Sequence, residues 1–132
     1  MDFELADTVS VWVGNFSSQD ELARYIQVVT TPDWNGDTPF SKFADDWGFI
    51  SYDTDLQEAA FEVSPPTLEI LINGVSYVES FSKQVCETAK NKISVLPNSF
   101  IMVFDFAYDP IGRFAQANTP VQFIGHFKYK KI

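Results

Sequence analysis

Residues 100–108 read FIMVFDFAY. A run that is apolar at nearly every position and follows the Pro97-Asn98 turn has the length and composition of a central strand covered on both faces. A different strand pattern stands at the start of the chain. From Thr8 to Phe16, Val9, Val11 and Val13 share one face while Ser10, Trp12 and Gly14 share the other, which is the two-residue period of an extended chain. Downstream, Val121 to Tyr129 predicts a half-exposed strand with Val121, Phe123, Phe127 and Tyr129 on one side and Gln122, His126 and Lys128 on the other. This last pair of strands is expected to be antiparallel across the loop Asp109 to Thr119.

Helical signals fill the space between. Ser18 and Glu21 have the spacing of a capping box, and Leu22, Tyr25, Ile26 and Val29 then recur at the spacing of one helical face. Residues 30–40, TTPDWNGDTPF, break every periodicity and read as a loop. A short helix is expected over Ser41 to Trp47, ended by Gly48, then a brief strand Phe49 to Tyr52 and a helix Leu56 to Val63. Ser64, Pro65 and Pro66 stop it, and Thr67 to Ile72 predicts one or two helical turns before Gly74. Ser76 and Glu79 repeat the capping-box spacing and open the longest helix, whose apolar stripe runs Val78, Phe81, Val85, Ala89 and Ile93, with Lys83, Lys90 and Lys92 left to face water. The expected fold is α+β, a mixed or antiparallel sheet of about four strands with helices packed mainly on one face.

Composition bounds the rest. Of 132 residues 45% are hydrophobic and 16% aromatic, 13 of them Phe, too much apolar surface for a disordered chain, so residues 1–132 are expected to fold as one domain. Cys86 has no partner for an internal disulfide, and the opening MDFELADTVS lacks the basic flank and apolar run of a secretory leader. A reducing cytoplasm is therefore the expected location. No apolar run approaches the roughly 20 residues that span a bilayer. The net charge of −9 is lopsided: residues 1–62 hold 13 acids against Arg24 and Lys42, whereas residues 63–132 hold five acids against seven bases. Such a field repels nucleic acid and anionic membrane and favours a basic protein partner.

The inventory for catalysis is thin. The single histidine, His126, falls on the polar face of a predicted strand, and Cys86 falls beside the apolar stripe of a helix, placements that suit a solvated ring and an inert thiol. Asp33-Trp34-Asn35-Gly36-Asp37 begins like a calcium loop, but Thr38 and Ala44 stand where Gly and a bidentate Glu are needed; Asp53-Thr54-Asp55 fails likewise at Glu58 and Ser64. Zinc spacing and a glycine-rich phosphate loop are both missing. No cofactor and no metal are expected. What remains is an acidic stretch interleaved with aromatics: Asp33, Trp34, Asp37, Phe40, Phe43, Asp45, Asp46, Trp47, Tyr52, Asp53, Asp55 and Glu58. Carboxylates that steer beside aromatic anchors suit a protein interface; the plainer reading puts Phe43, Trp47 and Tyr52 in the core.

Five segments carry a family resemblance: VSVWVGNFSSQDELARYI (9–26), SKFADDWGFISYDTDLQEAAF (41–61), SPPTLEILINGVSYVESF (64–81), FIMVFDFAYDP (100–110) and VQFIGHFKYK (121–130). In order, and over nearly the whole chain, they resemble the immunity protein 22 family of bacterial polymorphic toxin systems. The most specific parts are Trp12-x-Gly14 with Phe16, and the block Phe43, Asp46, Gly48, Tyr52, Asp53, Asp55 and Glu58. Trp47 departs from the Phe that the family favours, and the loop Asp109 to Thr119 has no clear counterpart. The resemblance implies a cytoplasmic antidote that binds and neutralises a cognate toxin, nucleases with their basic sites being one such class, and it brings no catalytic residues. Asp33, Trp34, Asp37, Asp45, Asp46, Tyr52, Asp53, Asp55 and Glu58 become the toxin-binding candidates, whereas Trp12, Gly14, Phe16, Phe43 and Gly48 read as structural. Two alternatives stay open: a small carboxylate-based, metal-dependent hydrolase, and a generic acidic interaction domain. The oligomeric state is not legible.

Overall fold

A computed structural model describes residues 3–29, 40–110 and 119–131. Two strands, β1 (Glu4–Gly14) and β3 (Ser99–Phe106), form the middle of a four-stranded antiparallel sheet. The order is β2-β3-β1-β4, with β2 (Gln57–Phe61) and β4 (Val121–Lys128) at its edges. The helices are α1 (Gln19–Ile26), α2 (Lys42–Trp47), α3 (Leu68–Leu71) and α4 (Ser82–Lys90). The fold is thus α+β, as expected.

The central strands bury both faces. Val9, Val11 and Val13 of β1 and Phe100, Met102 and Phe104 of β3 pack with Leu68 and Leu71 of α3 and Val85 and Ala89 of α4. On the other side Trp12, Ile101, Val103 and Phe106 pack with Leu22 and Tyr25 of α1 and Phe43, Ala44 and Trp47 of α2. The helices are therefore shared between two faces rather than placed mainly on one, and the unbroken apolar run of β3 is the reason: a strand with no polar face needs cover on both sides. The expected pairing of the last two strands also differs. β3 and β4 both pair antiparallel with β1, one on each side, so they do not touch as a hairpin.

Caps fix the helix ends. Ser18 Oγ accepts the Glu21 N–H at 3.1 Å, while the Glu21 carboxylate turns to the Ser17 N–H and hydroxyl instead of closing a box on Ser18. Ser41 Oγ accepts the Ala44 N–H at 3.0 Å, and Gly48 ends α2 at φ 74°, a left-handed turn that glycine enters without a Cβ penalty. Thr67 caps α3 through the Ile70 N–H.

Four local expectations are corrected. Residues 49–52 form no strand, because Phe49 and Tyr52 turn their rings into the core beside Phe43. The predicted helix 56–63 is a single 3-10 turn, Thr54–Leu56, followed by β2. Ser76 does not cap a helix: its N–H donates to Glu58 Oε1 at 3.0 Å, a 3-10 turn covers Val78–Ser80, and α4 starts only at Ser82. Finally, β4 carries a bulge where its register against β1 shifts between Val11 and Trp12. Val121 and Phe123 consequently face the α1/α2 side, whereas Ile124, Phe127 and Tyr129 face the α3/α4 side. A one-residue slip reverses every side chain beyond it.

Candidate functional site

Several of the candidate residues are spent on holding the fold. Trp12 is fully buried and gathers rings around it: Phe43 at 4.8 Å, Phe123 at 5.1 Å and Tyr108 at 5.5 Å between centroids. A Cβ on Gly14 would lie 2.4 Å from the Pro120 carbonyl oxygen, so only glycine fits this close approach. The Phe16 backbone is clamped by Asn98, whose Oδ1 accepts its N–H at 3.0 Å and whose Nδ2 donates to its carbonyl at 2.8 Å. Asp46 is turned inward, 3% exposed, and accepts from the Tyr25 hydroxyl and the Lys42 ammonium, each at 2.9 Å. This ties α1 to α2. Burial first, and then the Asp46 carboxylate, hold the Tyr25 phenol well above its ordinary range. Tyr52 is also buried, donates to Gln57 Oε1, and has its phenol pushed up to about 12 by burial.

Asp45, Asp53 and Asp55 are exposed and Glu58 is half-buried. Asp53 Oδ1 accepts the Asp55 N–H at 3.0 Å, which caps the turn before β2. Asp33, Trp34 and Asp37 lie outside the described residues.

Beside this turn a groove of about 450 Å³ opens between the N-terminal end of β1 and the C-terminal end of β3. Its floor is apolar, from Leu5, Ala6, Leu56, Val103, Phe104 and Phe106, and its carboxylates are Glu4, Asp53 and Asp105. A second hollow of about 220 Å³ shares Leu56, Phe104 and Asp105 with it and adds Asp55, Glu58, Ser76, Tyr77, Tyr129 and Lys131. The folded chain thus gathers acids from three distant stretches of sequence.

Asp105 organises this corner. Its Oδ1 accepts the Asp7 N–H at 3.0 Å and the Tyr129 hydroxyl at 2.6 Å, and the Tyr129 N–H donates to the Asp7 carbonyl at 3.0 Å. Asp7 and Asp105 both sit in the left-handed region, at φ 61° and 55°, where Asp is among the few side chains tolerated. The β1–β3 register shifts there, so Glu4 pairs with Phe106 but Val9 with Phe104. Nearby, the buried Ser10 hydroxyl donates to the Phe106 carbonyl at 2.6 Å and accepts the Tyr108 N–H at 2.9 Å. Burial foremost, with Asp105 and Asp7 adding to it, raises the Tyr129 phenol well above its ordinary range.

Glu4, Asp7 and Asp105 were not among the sequence candidates. One signal was available: Asp105 is the only charge within the apolar run 100–108, and a lone carboxylate in a central strand needs donors.

Among the described residues no group of three or more His, Cys, Asp or Glu side chains is arranged to hold a metal ion. The Cys86 thiol is raised first by burial and then by Glu69, which disfavours the thiolate. No helix among the described residues is long and apolar enough to cross a membrane.

The described residues thus form an antiparallel α+β fold with an apolar, acid-rimmed groove. Residues 9–130 match the family described as Immunity protein 22, and the chain belongs to that family. Membership in an immunity family implies, in principle, neutralisation of a toxin by an inhibitor rather than by an enzyme. No curated protein and no solved structure matches the chain.

Proposed function

We propose that this chain is a cytoplasmic antidote of a bacterial polymorphic toxin system that binds a basic cognate toxin through the face bearing Asp53, Asp55 and Glu58. The carrying observation is the convergence of Glu4, Asp53 and Asp105 around an apolar groove, with Asp55 and Glu58 in the hollow beside it, in a member of an immunity family. Apolar floor and charged rim divide the work of an interface: area removed from water supplies affinity, and the rim supplies steering and register. A nuclease is the toxin class this favours, because a site that binds phosphates presents the opposite charge. Asp45, exposed on α2, extends the acidic face, and Asp33, Trp34 and Asp37 remain candidates by sequence. Asp46 and Tyr52 act from inside as positioning residues.

The test is association kinetics with the cognate toxin domain, which this reading expects the adjoining gene to encode. Reversing Asp53 and Asp55 to Lys is expected to slow association by roughly tenfold or more at low salt, with the difference shrinking as salt rises. Rates that respond to neither the substitutions nor salt would contradict the electrostatic reading.

A further inference from the structure

The two edges of the sheet are treated differently. At β4 the bulged Ile124 carbonyl accepts the Lys92 ammonium at 2.7 Å, and Gln122 Nε2 donates to the Lys92 carbonyl at 2.8 Å, so Lys92, just past α4, and the bulge blunt that edge. At β2 the phase of pairing is set by the Glu62 N–H, which donates to the Asn98 carbonyl at 2.8 Å. With Gln57 opposite Val103 and Phe61 opposite Ser99, Glu58 and Ala60 exchange their bonds with β3. Alternation then turns the N–H and C=O of Ala59 and Phe61 outward. In this phase neither backbone N–H is directed at β3, and among the described residues no lysine is hydrogen-bonded to this edge as Lys92 is to β4; Lys131 lies past its near end, beside Asp55 and Glu58.

The segment that forms this edge is also acidic. From Asp53 to Glu79 the chain carries Asp53, Asp55, Glu58, Glu62, Glu69 and Glu79 and no Lys or Arg. We infer that β2 is a docking edge that takes an extended, basic strand of the toxin as a fifth strand of the sheet, an assignment that rests on the toxin-binding reading above. The same charges select the occupant. A second copy centred antiparallel on Ala60 would set Glu58 against Glu62 twice, a like-charge pairing that disfavours self-association in that register. A strand with Lys or Arg facing Glu58 and Glu62 and apolar side chains beside Ala59 and Phe61 satisfies charge, backbone and face together. Its near end would run toward Asp53 and Asp55 and so join the groove.

Ala59→Pro isolates the claim, because it deletes an outward N–H while leaving the bonds of Glu58 and Ala60 to β3 in place. It is expected to keep the wild-type melting midpoint to within a few degrees and to weaken binding of the adjoining gene's toxin domain by roughly tenfold or more, through the lost donor and the obstructing ring. Hydrogen exchange on the wild-type complex supplies the second readout and does not depend on the variant's folding: the Ala59 and Phe61 amides should slow on binding, whereas those of Glu58 and Ala60, bonded to β3, should be slow in the free chain as well. Glu62→Lys should weaken binding most at low salt. A complex in which Ala59 and Phe61 exchange as fast as in the free chain overturns the edge assignment while leaving the toxin reading intact. A wild-type chain that does not bind the toxin domain overturns both.

Discussion

At the scale of single residues, the chain divides its conspicuous side chains between support and surface. Trp12, at 0% exposure among Phe43, Phe123 and Tyr108, should cost about 3–5 kcal/mol of stability on replacement by Ala, measured by urea unfolding. Asp46→Ala removes the acceptor of a buried phenol and a link between two helices. It is expected to cost about 1–3 kcal/mol, while Asp45→Ala, one residue away and exposed, changes stability by no more than about 0.5 kcal/mol. The contrast was not legible in the string Asp45-Asp46, since two adjacent acids look alike until helical phase puts one inside. The tyrosines give a pH signature. Tyr52 ionises near 10 in the unfolded chain but is pushed up to about 12 in the fold. Below pH 10 both states keep the proton, and from there up to about 12 only the unfolded state releases it, so stability falls as pH rises through that window. Tyr25 and Tyr129, raised in the same direction, extend the decline. Melting midpoints followed from pH 8 to 12 should drop above 10, and Tyr52→Phe should make the drop shallower.

Elements were read well where local signals and packing agree. Ser18 caps α1 as its spacing suggested, although Glu21 does not close the box, Ser41 and Thr67 cap α2 and α3 where those helices were expected to start, and the stripe Val78, Phe81, Val85 and Ala89 faces the core, although its helix begins later than Ser76. Gly48→Ala, at φ 74°, is expected to lower stability by about 1 kcal/mol by thermal unfolding. The misreadings have a shared cause in pairing that sequence does not display. QEAAF is built of helix formers, yet β3 needs a neighbour and takes it as β2, so tertiary pairing overrides propensity. The β4 bulge moves Phe127 and Tyr129 to the opposite face from Phe123, and a strict two-residue alternation cannot register one extra residue. The groove shares this origin: it exists because β1 and β3 part around Asp7 and Asp105, which lie 98 residues apart.

For the whole molecule, the unequal charge of the two halves pointed to the first half as the interacting one. Folding keeps Asp53, Asp55 and Glu58 on that face but adds Asp105, Tyr129 and Lys131 from the second. A partner would therefore meet a composite surface rather than a continuous acidic segment. The central claim, that this surface belongs to an antidote, is tested most directly by co-expression. The toxin domain of the adjoining gene, induced alone in a sensitive host, should arrest growth, and induced together with this chain it should allow growth to continue. Equal killing with and without the chain, at matched and verified expression of both proteins, would contradict the account.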